Sequence, residues 1–125
     1  MLFVYPALFH KEDNSYWVEF PDLEGCQTFG ETLTETMANA QEALASYILT
    51  VLSGGAELAK PGEISDCLAP DDGFVSLVSC SIDPYKDEKA VKKTLTIPAW
   101  LNERAVSMGI NFSQVLQDAL LRRIA

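Results

Sequence analysis

The stretch YWVEFPDLEGC, residues 16–26, combines a strand with the loop that ends it. Residues 16–20 are mostly aromatic or β-branched, as is typical of strands. Pro21 and Gly25 bound a predicted loop, and residues 26–29 predict a short third strand that ends at Gly30. The stretch therefore indicates a small antiparallel sheet.

Upstream of this stretch, residues 3–10 predict a partner strand, joined to it by the polar turn at 11–15. Both faces of this strand are apolar, so we expect it to be central or covered on both sides. Pro6 favours an edge strand or a bulge instead, because proline has no N–H to give to a sheet.

Downstream, Thr32 and Glu35 form a capping-box pattern that predicts the start of a helix, and Gly54 and Gly55 predict its end. We expect the apolar face of this helix to pack on the sheet. That face consists of Leu33, Met37, Ala40, Leu44, Tyr47, Ile48 and Val51.

The rest of the chain divides at a polar, turn-rich segment. A loop over 56–72 and a strand over 74–82 complete a first domain, residues 1–82. Residues 83–90 are a predicted linker, and residues 91–125 are a second module. The predicted fold class is α+β.

The second module has a strand–helix–helix pattern. Residues 91–97 predict a strand, Pro98 suits the first position of a helix, and Gly109 suits that helix's end. Asn111 is the predicted N-cap of a second helix, with Arg122 and Arg123 in its last turn. The expected buried residues are Leu101, Ala105, Met108, Phe112, Val115, Leu116, Ala119, Leu120 and Ile124.

Such a module is too small to fold alone, because about forty residues seldom bury enough apolar area. Pairing its strand with the same strand of a second chain gives a two-stranded ribbon and predicts a homodimer. With Leu95 and Ile97 facing the helices, the exposed ribbon face carries Lys92, Thr94 and Thr96. Lys and Thr can read bases in a DNA major groove.

Charge is distributed unevenly along the chain. Residues 1–85 hold two bases and fourteen acids, a net charge of −12, whereas residues 86–125 hold seven bases and four acids, a net charge of +3. The acidic part is suited to a basic protein partner and the basic part to phosphates. The start of the second helix, at Asn111 and Ser113, offers N–H groups to a phosphate. Among the lysines of the linker, Lys86 and Lys89 are further candidates for phosphate contacts.

Other features exclude several classes of protein. No apolar run is long enough to span a membrane, and the N-terminus does not have the pattern of a signal peptide. Cys26, Cys67 and Cys80 are an odd number without zinc-like spacing, which predicts reduced, buried thiols in a cytoplasmic protein. No cofactor, metal or membrane partner is expected.

The chain resembles HicB-type antitoxins along nearly its whole length. Tyr5-Pro6-Ala7 and residues 16–26 match the family's N-terminal motif, and residues 92–98 with 111–117 resemble its ribbon-helix-helix DNA-binding domain. The resemblance implies a degenerate ribonuclease H-like domain that neutralises a HicA-type toxin, a small basic mRNA-cleaving ribonuclease. It also implies repression of the chain's own operon by operator binding as a dimer, and it leaves open whether two dimers pair into a tetramer. The family's turn commonly carries glycines where this chain has residues 13–15.

Several residues keep more than one interpretation. Glu19, Asp22 and Glu24 are a solvated acidic loop, a toxin contact or a metal-binding cluster. Trp17 belongs to the core or to a protein-binding patch, and His10 is a surface or structural histidine. The rival functions are a ribbon-helix-helix regulator without a toxin and a metal-dependent nuclease.

Overall fold

The computed structural model describes residues 1–82 and 90–125, and the chain divides into two compact units, Met1–Ile82 and Asp83–Ala125. The predicted α+β class is confirmed. The predicted linker over 83–90, with Lys86 and Lys89, lies outside the described residues except for Ala90. The first unit contains strands β1 (Leu2–Glu12), β2 (Ser15–Glu19), β3 (Gln27–Gly30) and β4 (Gly73–Ser81), helix α1 (Leu33–Ser53) and a short 3-10 turn (Ile64–Asp66). The second contains helices α2 (Ala99–Ser107) and α3 (Phe112–Ile124).

The four strands form one antiparallel sheet in the order β3-β2-β1-β4, so β1 is central. Pro6 nevertheless lies where β1 has one neighbour, because β2 pairs with β1 only from Leu8 onward. The Lys11 N–H donates to the carbonyl of Asp72 on the β4 side. Backbone groups alternate along a strand, so the nitrogen of Pro6 points away from β4, beyond the end of β2. The missing N–H therefore costs the sheet no hydrogen bond.

The core lies between α1 and one face of the sheet. On that face β1 contributes Phe3, Tyr5, Ala7 and Phe9, all nearly inaccessible to solvent. The buried row of the helix is Thr36, Ala40, Leu44 and Ile48. The predicted helix face is therefore shifted: Leu33 is 47% exposed, and Thr36 is buried in its place with its hydroxyl donating to the Thr32 carbonyl.

The ends of α1 follow the predicted chemistry. Thr32 Oγ1 accepts a hydrogen bond from the Glu35 N–H at 3.1 Å, and Gly54 is the C-terminal cap. The Glu35 carboxylate accepts from the N–H of Glu31 rather than from that of the cap residue itself.

Two of the three thiols are buried in the first unit, as predicted. Burial raises the pKa of Cys26 and of Cys80 to about 11 each, so both thiols are protonated at neutral pH. Cys67 is only half-buried and differs from the prediction.

In the second unit the helix signals are correct and the predicted strand is absent. Asn111 caps α3, accepting from the Gln114 N–H at 3.1 Å, and Gly109 ends α2 with a φ of 70°. Pro98 is the residue before α2 rather than its first residue. Residues 90–98 form neither helix nor strand in the single chain, since a strand needs a partner to bond with.

The predicted core of this unit is also not covered within one chain. Phe112, Val115, Leu120 and Ile124 are 43–60% exposed, whereas Leu121, which the pattern missed, is buried. Two short helices have no third layer to pack against. None of the helices in the described ranges is both long and apolar enough to cross a membrane.

Gly73, at the start of β4, provides a test of the packing. A side chain there would collide with the carbonyl oxygen of Phe9, so we expect Gly73→Ala to lower the free energy of unfolding by about 1–3 kcal/mol. Urea denaturation followed by circular dichroism measures the change. The control is Gly62→Ala, whose new methyl would meet the Asp22 carboxylate at 3.1 Å rather than backbone; because that carboxylate also accepts the Gly62 N–H, we expect a smaller loss and not none. Equal losses in both variants would contradict the close approach of β4 to β1.

Candidate functional site

Strand pairing gathers a set of apolar and aromatic side chains on the sheet face opposite α1. Residues that pair directly share a face, as His10 does with Trp17 and Trp17 with Phe29. We call this surface the open face. It consists of Leu8, His10, Trp17, Glu19, Phe29, Val75 and Leu77.

Large apolar groups on the open face are exposed. Phe29 is 74% exposed and Leu77 is 51% exposed. They lie on the two edge strands, β3 and β4, with Trp17, His10 and Leu8 of the same face between them. A sheet face with exposed apolar side chains is typical of a protein-interaction site. The sequence predicts a strand at Phe29 but not its exposure, because the pairing of Phe29 with Trp17 depends on the register of β3 against β2.

A cluster on the open face combines His10 of β1 with Trp17 and Glu19 of β2. The His10 and Trp17 rings stack with centroids 3.8 Å apart and 5° between their planes. His10 Nε2 lies 3.8 Å from Glu19 Oε1 and has no hydrogen-bond partner among the described residues. The stack fixes the indole, so Trp17 is presented in one orientation rather than several.

The surroundings of this cluster are acidic. A shallow cavity of about 370 Å³ adjoins His10 and Trp17. Its other lining residues are Lys11, Glu12, Pro70, Asp71 and Asp72. Three carboxylates against one ammonium group give this end of the sheet a negative potential, which favours a positively charged partner.

Asp22 and Glu24 lie on the β2–β3 loop, outside this cluster. The Asp22 carboxylate accepts from the Gly62 N–H at 2.9 Å and thereby holds the segment after α1. In the same segment, the Tyr5 hydroxyl donates to the Ala59 carbonyl. Burial, with the nearby Asp22 charge second, raises the pKa of Tyr5, which keeps that hydroxyl a donor.

Glu24 is exposed, and its carbonyl accepts from the Tyr47 hydroxyl at 3.0 Å. Glu19, Asp22 and Glu24 therefore have separate surroundings. Within residues 1–82 and 90–125 there is no group of three or more His, Cys, Asp or Glu side chains that could hold a metal ion.

The predicted DNA-binding residues are all in the second unit. Lys92, Thr94 and Thr96 are exposed in the extended segment before α2. Asn111 uses its side chain to cap α3, and the Ser113 hydroxyl accepts from the Gln117 amide at 3.2 Å. Leu95 and Ile97 are exposed as well, at 58% and 49%, so a single chain does not separate the two faces of the predicted strand.

Comparison with known proteins places the chain among antitoxins. Residues 5–124 match the model of the family described as HicB-like antitoxin of bacterial toxin-antitoxin system. A 14.9 kDa protein from the rep-hol intergenic region of Haemophilus phage HP1 is 35% identical over 104 residues, which are 81% of this chain and 77% of that protein.

Two solved structures resemble the whole chain. A chain of a toxin-antitoxin complex from Streptococcus pneumoniae is 33% identical, with a TM-score of 0.59 over 98% of this chain and 99% of that one. The Burkholderia pseudomallei antitoxin HicB has the same fold, with a TM-score of 0.64 at 22% identity over 98% of this chain and 99% of that one. Since the family model spans both units, the chain belongs to the HicB-like antitoxin family of bacterial toxin–antitoxin systems.

Proposed function

We propose that residues 1–82 neutralise a HicA-type toxin, a small basic mRNA-cleaving ribonuclease, and that the toxin docks on the open face. The observation that carries this proposal is the half-buried Trp17, stacked on His10 beside Glu19, with acidic residues around it. An apolar centre with a charged rim is the usual anatomy of a protein interface. Family membership and the similarity to a chain of a toxin-antitoxin complex support a toxin as the occupant.

Charge supports the same partner. Residues 1–85 have a net charge of −12, which would speed encounter with a basic protein and repel nucleic acid. In this proposal Trp17 and Glu19 contact the toxin, and Glu24 lies at the rim. Asp22 acts mainly in the fold, because its carboxylate already accepts the Gly62 N–H.

We further propose that residues 91–125 form a ribbon-helix-helix module that binds operator DNA as a dimer. The exposed apolar side chains of α2 and α3 support this, because a second copy would cover them. Trp100, Val106 and Val115 are each more than half exposed. Pairing residues 91–97 of two chains would also satisfy backbone groups that a lone strand leaves open.

Within this ribbon, strand alternation directs Lys92, Thr94 and Thr96 to the DNA and Leu95 to the helices. Ser113, at the start of α3, lies where a helix offers N–H groups to a phosphate. Asn111 contributes as the cap that organises that helix end. The chain would then repress its own operon.

A second candidate function is a ribbon-helix-helix regulator without a toxin, in which the first unit binds another protein. Co-expression of the tagged chain with the neighbouring open reading frame separates the two. Co-purification of a small basic protein that is toxic when expressed alone supports the antitoxin proposal. A chain that binds its own promoter but retains no partner supports the regulator.

For the toxin interface, we expect Trp17→Ala to weaken binding by roughly 2 kcal/mol or more, about thirtyfold, because a buried interfacial tryptophan is commonly a hot spot. Isothermal titration with the toxin measures the affinity. Glu19→Gln should also weaken binding, whereas Glu42→Gln, which makes the same charge change on an exposed part of α1, should have a smaller effect. Equal effects of the two glutamine variants would indicate long-range attraction rather than contact at the open face.

For the DNA interface, we expect Lys92→Ala or Thr94→Ala to weaken operator binding by about 1–3 kcal/mol per lost base contact. Lys93→Ala is the matched control, because it removes the same charge from the neighbouring position, on the opposite strand face. Fluorescence anisotropy measures the operator affinity of each variant at several salt concentrations. A plot of log affinity against log salt concentration should have a slope of about −0.9 per phosphate contacted. Identical losses for Lys92 and Lys93 would contradict the assignment of strand faces.

A further inference from the structure

The His10 side chain has one nitrogen that the fold leaves unsatisfied. Its Nε2 atom is shut off from solvent and has no hydrogen-bond partner among the described residues. A buried polar atom without a partner costs free energy, so its position calls for an explanation. The Glu19 carboxylate lies beside it, with Oε1 3.8 Å from Nε2. Because neither solvent nor a partner protein can reach Nε2, a proton on this atom can be shared with Glu19.

The register of β1 against β2 produces this arrangement. His10 pairs with Trp17 and Leu8 pairs with Glu19, so Glu19 lies diagonally across the sheet from His10. The imidazole stacks flat on the indole, and the stack holds the ring beside Glu19. A separation of 3.8 Å is too long for a hydrogen bond but is within the range of an ion pair. The strength of this contact therefore depends on whether His10 carries a proton.

The other charged groups near His10 line the cavity beside it. They are Lys11, Glu12, Asp71 and Asp72. On β4 the residue opposite His10 is Gly73, which contributes no side chain. A positive charge on His10 thus meets mostly opposite charge. Histidine is the side chain that ordinarily changes charge between about pH 5 and 8, and the chain contains one.

We propose that His10 makes the toxin contact sensitive to pH, because a protonated His10 competes with the toxin for Glu19. This inference rests on the proposed docking of a basic toxin on the open face. When His10 is neutral, the Glu19 carboxylate is available to a basic group of the toxin. When His10 is protonated, that carboxylate pairs with Nε2, and the added positive charge repels a basic partner. Both effects weaken toxin binding as the pH falls.

The stack alone does not account for a histidine at this position. Stacking on Trp17 needs a flat ring, which phenylalanine would provide without a buried polar nitrogen. Histidine adds a group that gains or loses a proton near neutral pH. The protonated ring also gains a cation–π attraction to the indole, so it keeps its place beside Trp17. Protonation therefore changes the charge of the open face while the tryptophan stays in position.

Toxin affinity at two pH values tests the proposal on the full chain. Isothermal titration with the toxin encoded by the neighbouring open reading frame is run at about pH 8 and about pH 5.5. His10→Phe is the matched variant, because it keeps a flat ring beside Trp17 but takes up no proton. Its response to pH is that of the toxin alone. We expect the loss of affinity at the lower pH to be about three- to fivefold greater for the wild type, the size of a partly exposed ion pair.

Proton release on binding gives an independent measurement. A toxin that takes Glu19 from a protonated His10 must drive off that proton, because linkage is reciprocal. Titrations in phosphate and in Tris, whose ionisation enthalpies differ, count the protons released at about pH 6.5. The wild type should release more than His10→Phe. Glu19→Gln, which lacks the contested carboxylate, should also release fewer than the wild type.

A measurement without toxin tests the pair itself. In the chain purified without a histidine tag, the one imidazole gives a Cε1–H NMR signal that needs no assignment. Removing the Glu19 charge should make His10 harder to protonate, so this signal should move at a lower pH in Glu19→Gln than in the wild type. Glu42→Gln removes the same charge from an exposed position on α1, on the other side of the sheet, and should titrate as the wild type does.

Identical titration of His10 in the wild type, Glu19→Gln and Glu42→Gln would overturn the proposal without reference to any toxin. An equal loss of affinity at the lower pH in the wild type and in His10→Phe would overturn it as well. If circular dichroism shows that His10→Phe misfolds, His10→Gln takes its place. Where Trp17→Ala still weakens toxin binding, docking on the open face stands and this inference alone fails.

Discussion

The fold of the first unit depends on one contact, the packing of a narrow row of α1 on one face of the sheet. The row is Thr36, Ala40, Leu44 and Ile48, a spacing of four residues that keeps each side chain over the one before it. Small residues at the beginning of this row let the helix approach the sheet closely. Gly30 of β3 faces the backbone of Thr36 and leaves no room for a Cβ. Because one helix covers only one face of the sheet, the other face is the one to which we assign the toxin contact. The architecture and the proposed binding surface thus follow from the same contact.

Local signals were the part of the fold that the sequence predicted well. The capping residues Thr32 and Asn111 act as expected because a cap depends on neighbours three residues away. The predicted helix face was wrong at Leu33, since hydrophobicity alone favours leucine over threonine for burial. Thr36 is buried because its hydroxyl bonds within the helix, to the Thr32 carbonyl. A pattern of hydrophobic residues does not reveal such a hydrogen bond.

The site was harder to predict because its determinants are distant in sequence. The sequence indicates Trp17 and Glu19 as candidates, but the stack of Trp17 with His10 depends on the register of β1 against β2. The role of Asp22 depends on Gly62, forty residues away, and nothing in the local pattern indicates that bond. The predicted strand over 91–97 has a different difficulty: in the dimer that we propose, its hydrogen-bond partner belongs to a second molecule. A single chain contains the residues for the ribbon without the ribbon itself.

The buried thiols have a consequence for oxidative stress. With pKa values of about 11, Cys26 and Cys80 are thiolates in roughly one molecule in ten thousand at pH 7. Peroxides react with thiolates, so both side chains are poor peroxide sensors. Burial thus makes these two thiols poor targets for oxidants around the protein. An oxidant would therefore reach the half-buried Cys67 before either of these two thiols.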